Sequence, residues 1–253
     1  MCGRYAASKE ADLLSEIFET VEMVPGADLP PRFNIAPTDQ VAAVLTRTDR
    51  ESGQDIRKLA PLRWGLVPSW SKDPKGGARM INARSETVAD KPAFRKAFAN
   101  RRCLLPADGY YEWYQLAAAP GSSKPRKQPF FISPTAANPA RVPGLMAMAG
   151  LYEFWRDDAL PADHPDAWWS TCTIITTQAT DALGHIHDRM PVQVRREDWA
   201  DWLDPRLTDP LGAHDLMHFP AEQEMTAWAV STAVGKVGNE GRQLTLPLDG
   251  EAV

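Results

Sequence analysis

With 253 residues, 43% of them hydrophobic and 24% charged, the chain has the makeup of a soluble globular protein able to bury a sizeable core. Its net charge of −5 argues against a protein that coats nucleic acid indiscriminately, and no stretch approaches the roughly 18 apolar residues of a membrane span or reads as a secretory signal. Three cysteines, at 2, 103 and 172, are odd in number and lack metal-ligand spacing, which argues against a disulfide framework or zinc site and leaves no metal, no cofactor and a cytoplasmic setting as the expectation.

Apolar residues Leu13, Leu14, Ile17, Phe18 and Val21 recur at helical spacing and predict an amphipathic helix from Glu10 to Met23, broken by Pro25, Gly26, Pro30 and Pro31. Phe33 to Thr38 reads as a rigid loop containing Pro37. Gln40–Arg47 and Leu59–Leu66 follow as strands. Val67 to Gly77 is an exposed loop carrying Trp70, Asn82 opens a turn, and Lys91–Ala99 is a short basic helix. Arg102–Pro106 and Gly109–Gln115 are strands, and Leu116–Gln128 is a basic hairpin loop returning through Pro129–Ile132. Leu145–Phe154 and Ser170–Thr177 are strands joined by a surface loop. Thr180–Ile186 is a helical turn, Arg196–Leu203 a short helix with Trp199 and Trp202 on one side, and Ala227–Thr232 a last strand. Strands dominate without alternating regularly with helices, so the fold class is α+β on a mostly antiparallel sheet.

Chemistry concentrates at five places. A small residue at position 2 permits removal of Met1, which would leave the α-amine (pKa about 7.7–8.0) and thiol (about 8.5) of Cys2 on adjacent carbons. Amine and thiol can add in turn to one aldehyde carbon and close a thiazolidine ring, which no internal cysteine can do. Glu112 sits in the aromatic run Tyr110-Tyr111-Glu112-Trp113-Tyr114. It is either a solvent-facing strand residue or a carboxylate in an apolar wall, where burial raises its pKa and suits it to acid–base work. Alternation puts Tyr110, Glu112 and Tyr114 on one face and Tyr111 and Trp113 on the other.

His187, in a polar turn before Pro191, is either surface or a proton shuttle near neutral pH. Asn82 and Arg84 stand two apart: the amide donates and accepts or merely caps a turn, and the guanidinium takes a phosphate or pairs with Glu86. Between Lys75 and Arg102, eight basic residues face only Glu86 and Asp90, as a solvated helix face or a phosphate track. Trp70 and Trp113 lie beside turn signals, where an aromatic can stack a base.

Seven blocks occur in order: Met1-Cys2-Gly3-Arg4, Arg32–Pro37, Trp64–Pro68, Ile81–Thr87, Gly109–Trp113, His187–Pro191 and Val230–Val234. Together they closely resemble the SOS-response-associated peptidase (SRAP) family of abasic-site sensors, over nearly the whole chain. The resemblance implies a single β-rich, barrel-like domain flanked by helices over residues 1–245, with 246–253 as a polar tail. It implies a partner, single-stranded DNA carrying abasic sites, captured as a thiazolidine on Cys2 with Asn82, Glu112 and His187 around it. Slow reversal and some lyase activity are expected. In the same reading Arg4 and Arg84 hold phosphates, while Trp70, Pro37 and Trp113 guide or block bases. Ser69-Trp70 stands where relatives can carry two aromatics. The rival readings are a cysteine autopeptidase with Cys2 as nucleophile and a noncovalent single-strand-binding module. No sequence feature suggests an oligomer, so a monomer is expected.

Overall fold

The computed structural model describes residues 2–117, 126–135, 144–179 and 184–248. The middle of the expected basic hairpin loop, the start of the expected turn at 180–186 and the end of the polar tail therefore lie outside the described residues, as does Met1. Among the described residues the chain runs β1 (Tyr5–Ala7), α1 (Ala11–Ile17), β2 (Glu22–Met23), β3 (Arg32–Ile35), β4 (Gln40–Thr48), β5 (Asp55–Trp64) and β6 (Asn82–Arg84). It continues through α2 (Arg95–Asn100), β7 (Arg102–Ala107), β8 (Gly109–Leu116), β9 (Arg126–Pro134), β10 (Met146–Arg156), β11 (Trp168–Gln178) and β12 (Arg189–Pro191). It closes with α3 (Trp199–Leu203), α4 (Pro210–Asp215) and β13 (Met225–Ala229).

Two sheets form, one ordered β13-β9-β8-β1-β3 and one ordered β12-β11-β10-β7-β4-β5-β2. In the second, β5 returns to pair in parallel with β11 at Thr171–Arg63 and Cys172–Trp64, so β11, β10, β7, β4 and β5 close into a five-strand barrel. Closure removes two edges that would otherwise need covering. Alternate residues of these strands feed two cores. Val44, Leu59, Leu104, Leu151 and Ile175 pack with Phe18, Phe98, Trp199 and Trp202 of the helical side. Leu45, Leu62, Trp64, Leu105, Met148, Cys172 and Ile174 pack with Cys2, Tyr5 and Tyr110 of the first sheet. Tyr5 meets the Trp64 ring edge-on at 5.2 Å, a contact worth about 0.5–1.5 kcal/mol beyond burial.

The expected helix from Glu10 to Met23 is cut to Ala11–Ile17. Glu19 takes a left-handed backbone (φ 54°), ending the helix, and Val21 N–H then donates to Arg57 O so that the chain joins the sheet as β2. Val21, read as part of the apolar face, is 78% exposed. The expected loop at Phe33 begins instead as β3, paired with β1. Asn34, a turn former by composition, is buried there because its amide donates to the carbonyls of Val234, Lys236 and Asn239. Asn82, expected to open a turn, begins β6 beside β11, and the basic helix is confined to Arg95–Asn100. Trp199 and Trp202 do point the same way, both into the core.

The basic cluster divides. Arg102 is buried, donating to the carbonyls of Phe98, Ala99, Trp202 and Asp204, where it satisfies the C-terminal ends of α2 and α3. Arg101 is tied to Glu153 at 2.7 Å. Lys75, Arg79, Arg84, Lys91, Arg95 and Lys96 remain exposed.

Candidate functional site

Cys2 lies just ahead of β1 and is fully buried. Its carbonyl accepts from Asn82 Nδ2 at 2.9 Å, which ties the start of the chain to β6. Asn82 is itself placed by a parallel register with Ile174 on β11, and by Trp64, whose indole Nε1 donates to the Ile81 carbonyl at 2.9 Å. Asn82 Oδ1 is buried and has no hydrogen-bond partner among the described residues, which leaves one acceptor of this amide unsatisfied. The Cys2 thiol lies 3.9 Å from the Arg4 carbonyl. Burial pushes its pKa up and the Glu112 carboxylate pushes the same way, keeping the sulfur protonated at neutral pH.

Glu112 is only 3% exposed, which decides between its two readings: the carboxylate is in the wall and not on the solvent face. The alternation of β8 does this, sending Tyr110 and Tyr114 with it to the Cys2 core and Tyr111 and Trp113 to a third cluster around Phe131 and Val234. Burial raises its pKa to about 7, with the Asp188 carboxylate adding to the effect. A carboxyl poised there gives or takes a proton at physiological pH.

His187 follows from the turn entering β12. Its Nε2 stands 4.0 Å from Glu112 Oε2, and its Nδ1 lies 2.9 Å from Asp188 Oδ1 and accepts the Arg189 backbone N–H at 3.1 Å. Burial lowers the His187 pKa and Asp188 opposes that, so the ring is neutral at pH 7. The Arg189 guanidinium is held by both Glu86 oxygens and by Thr176. Glu86 therefore pairs with Arg189 and not with Arg84, the partner the sequence offered. Arg84 is exposed at the end of β6, and its side chain makes no hydrogen bond or ion pair among the described residues.

The remaining expected residues differ in exposure and in how far their polar groups are already engaged. Arg4 donates to Asn34 Oδ1 at 2.7 Å and to the carbonyls of Val234 and Gly235, so part of its fork is already used. Pro37 sits in a tight turn in which Thr38 holds a left-handed φ of 77°. A β-branched residue there costs of order 1–3 kcal/mol. The turn is held by Thr38 N–H donating to Trp64 O and by Asp39 Oδ2 accepting the Ala36 N–H. Trp70 is 63% exposed, on a loop pinned where Gly65 and Gly77 cross. A Cβ on either would come within 2.7 Å of the other's carbonyl oxygen, so only glycine fits. Trp113 is half-buried against the third cluster. Sequence reasoning missed Trp64, Asn34 and Asp188 as organisers. The first two lie in recognised blocks, and Asp188 adjoins His187, but no spacing rule singles them out.

The SOS response associated peptidase (SRAP) family model matches residues 1–237. Abasic site processing protein YoqW of Bacillus subtilis is 37% identical over 244 residues, covering 96% of this chain and 98% of its own. Abasic site processing protein YedK of Escherichia coli is 29% identical, covering 98% and 100%, and abasic site processing protein HMCES of Pongo abelii is 30% identical, covering 98% and 77%. A solved protein from Bacteroides thetaiotaomicron matches the fold with a TM-score of 0.77 at 22% identity, over 98% of this chain and all of its own. With a family model spanning nearly the whole chain, and relatives above 30% identity matched end to end, this protein belongs to the SOS response associated peptidase family.

Proposed function

We propose that this protein captures abasic sites in single-stranded DNA by forming a thiazolidine between Cys2, exposed as the N-terminal residue by loss of Met1, and the C1′ aldehyde of the lesion. The observation that carries the reading is the environment of Cys2: its carbonyl held by Asn82 Nδ2, its neutral thiol, and a carboxyl with a pKa near 7 beside it. That the relatives are named abasic site processing proteins supports the substrate class.

The chemistry follows from those groups. Abasic deoxyribose is mostly a closed hemiacetal, and His187 and Glu112 move the protons that open it to the aldehyde. The neutral α-amine attacks C1′, and loss of one water gives the imine. The thiol adds to the imine carbon, its proton passing to the nitrogen, and the ring closes. Proton donation to that nitrogen by Glu112 reopens the ring, so reversal is slow but real. When thiol capture fails, the imine permits β-elimination, a lyase side reaction.

Arg84 and Arg4 hold the phosphates flanking the lesion, with Arg84 contributing more because its fork is less committed. Trp70, Pro37 and Trp113 bound the path of the bases. Single-stranded DNA is favoured because an unpaired sugar can reach a residue at the bottom of a pocket without the cost of unstacking a duplex. The autopeptidase reading asks for a thiol activated by a base. Here burial raises the thiol pKa, and the two imidazole nitrogens face Glu112 on one side and Asp188 and Arg189 on the other.

The test is a denaturing gel of protein lacking Met1 with labelled oligonucleotides, abasic or intact, single- or double-stranded. A heat-stable shifted band with the single-stranded abasic oligonucleotide alone is the expected result. Equal shifts with intact DNA, or none with any substrate, would overturn the reading.

A further inference from the structure

The turn at His187 places two neighbours of opposite demand beside one ring nitrogen. Nδ1 lies 3.1 Å from the Arg189 backbone N–H, which needs a lone pair there, and 2.9 Å from Asp188 Oδ1, which needs a proton there. A single protonation state cannot satisfy both. A neutral ring with its proton on Nε2 accepts from Arg189, whereas a ring protonated at Nδ1 faces the Asp188 carboxylate as a 2.9 Å ion-pair contact. Each protonation state therefore has a stabilising neighbour beside Nδ1.

The rest of the geometry gives that property a direction. Asp188 is 84% exposed at its side chain and Glu112 is 3% exposed, so the imidazole spans solvent on its Nδ1 side and the buried carboxyl on its Nε2 side. The other charged groups facing the ring are accounted for. The Arg189 guanidinium is turned onto Glu86 and Thr176, and His185 faces the Tyr114 ring from β8 at 6.2 Å. The α-amine that loss of Met1 would leave on Cys2 opposes a charge on the ring, whereas the Asp188 carboxylate favours it.

We infer that Asp188 is a positioning residue that works through His187, holding the ring when Nδ1 is protonated so that the imidazole passes protons between solvent and buried Glu112. The inference rests on the crosslinking reading for its use, since that chemistry moves protons to and from buried Glu112 several times for each crosslink formed. In the inward passage Nε2 gives its proton to Glu112 Oε2 while Nδ1 takes one from water at Asp188. The ring ends neutral with its proton on Nδ1, beside the Asp188 carboxylate, and the outward passage restores the first tautomer. The 4.0 Å gap to Glu112 closes by a small side-chain adjustment, as acid–base contacts commonly tighten only with substrate bound.

The test uses the whole protein and has a readout independent of DNA. His187 ring nitrogens are followed by 15N NMR from pH 5 to 9 in wild type, Asp188→Asn and Asp188→Glu, and crosslinking rates are measured over the same range. The expected result is a titration midpoint lower by about half a pH unit or more in Asp188→Asn, largely restored in Asp188→Glu. Its crosslinking rate at pH 7 should fall about fivefold, well short of the 10²–10⁴-fold typical for an acid–base group itself. Affinity for intact single-stranded DNA should not fall. An unchanged midpoint overturns the inference, as does a lowered midpoint with wild-type rates at every pH. If wild type forms no crosslink at all, the proposed function falls, while the ring titration still decides whether Asp188 holds the ring.

Discussion

Two histidine–glutamate pairs in this molecule differ in one geometric respect. His218 Nε2 lies 2.9 and 3.2 Å from the two oxygens of Glu224, whose Oε2 also accepts the Ala221 N–H. That pair is closed: its atoms are at bonding distance, and the ring is only 10% exposed. His187 and Glu112 stand 4.0 Å apart, one reaching solvent and the other buried near Cys2. A pair at bonding distance spends its hydrogen bonds on the fold and is a tie between segments, here the strand-like bridge at Gln193–His218 and the turn before β13. A pair held just beyond that distance keeps a proton available to a third party. Residue type alone does not distinguish the two.

Substitutions in the two pairs should separate these roles, and Glu112→Gln should have the largest effect. It should slow crosslinking by about 10²-fold or more and remove the limb of the rate profile near pH 7. It should also stabilise the fold. Folded Glu112 keeps its proton up to about pH 7, whereas the unfolded chain loses it near 4.3, so stability falls as pH rises through that window and the cost is complete above it. The variant should therefore gain up to about 3 kcal/mol over wild type at pH 8, with the gap closing toward pH 4, as denaturant melts at several pH values would record. His187→Gln should come next, with a rate loss of about 10–100-fold and little change in Tm.

Glu224→Gln should behave in the opposite way, costing about 1–2 kcal/mol by thermal melting while leaving the crosslinking rate within twofold. A rate loss there would erase the distinction between the pairs. The smallest effect is expected at Arg84→Ala, with two- to threefold weaker binding of single-stranded DNA and a salt-dependence slope smaller by about one. Arg102→Ala would instead unfold the helical side by removing its buried hydrogen bonds to four carbonyls.

The candidate residues were legible because each sits in a short, distinctive block. The aromatic run marks Glu112 and position marks Cys2, but alternation leaves open whether Glu112 faces solvent or the core, and nothing local foretells the burial of Cys2. The resemblance to a known family supplied the grouping, since nothing in the spacing of 2, 82, 112 and 187 brings those residues together. What stayed hidden depends on long-range pairing. The β5–β11 closure, Asn34 taking carbonyls some 200 positions away, and Trp64 supporting Ile81 have no local signature. The helix at Glu10 was overextended because Val21 fits the helical period while its backbone is claimed by β5. Arg84 and Glu86 look like neighbours in sequence, yet Arg189 wins the carboxylate from across the sheet.

The most direct test of the central claim is the intact mass of protein lacking Met1 after incubation with a single-stranded oligonucleotide carrying one abasic site, beside a Cys2→Ala control. The account predicts a species equal to protein plus DNA minus one water, absent from the control. Protein that lacks Met1, is folded and binds the oligonucleotide, yet gives no such species, would contradict it.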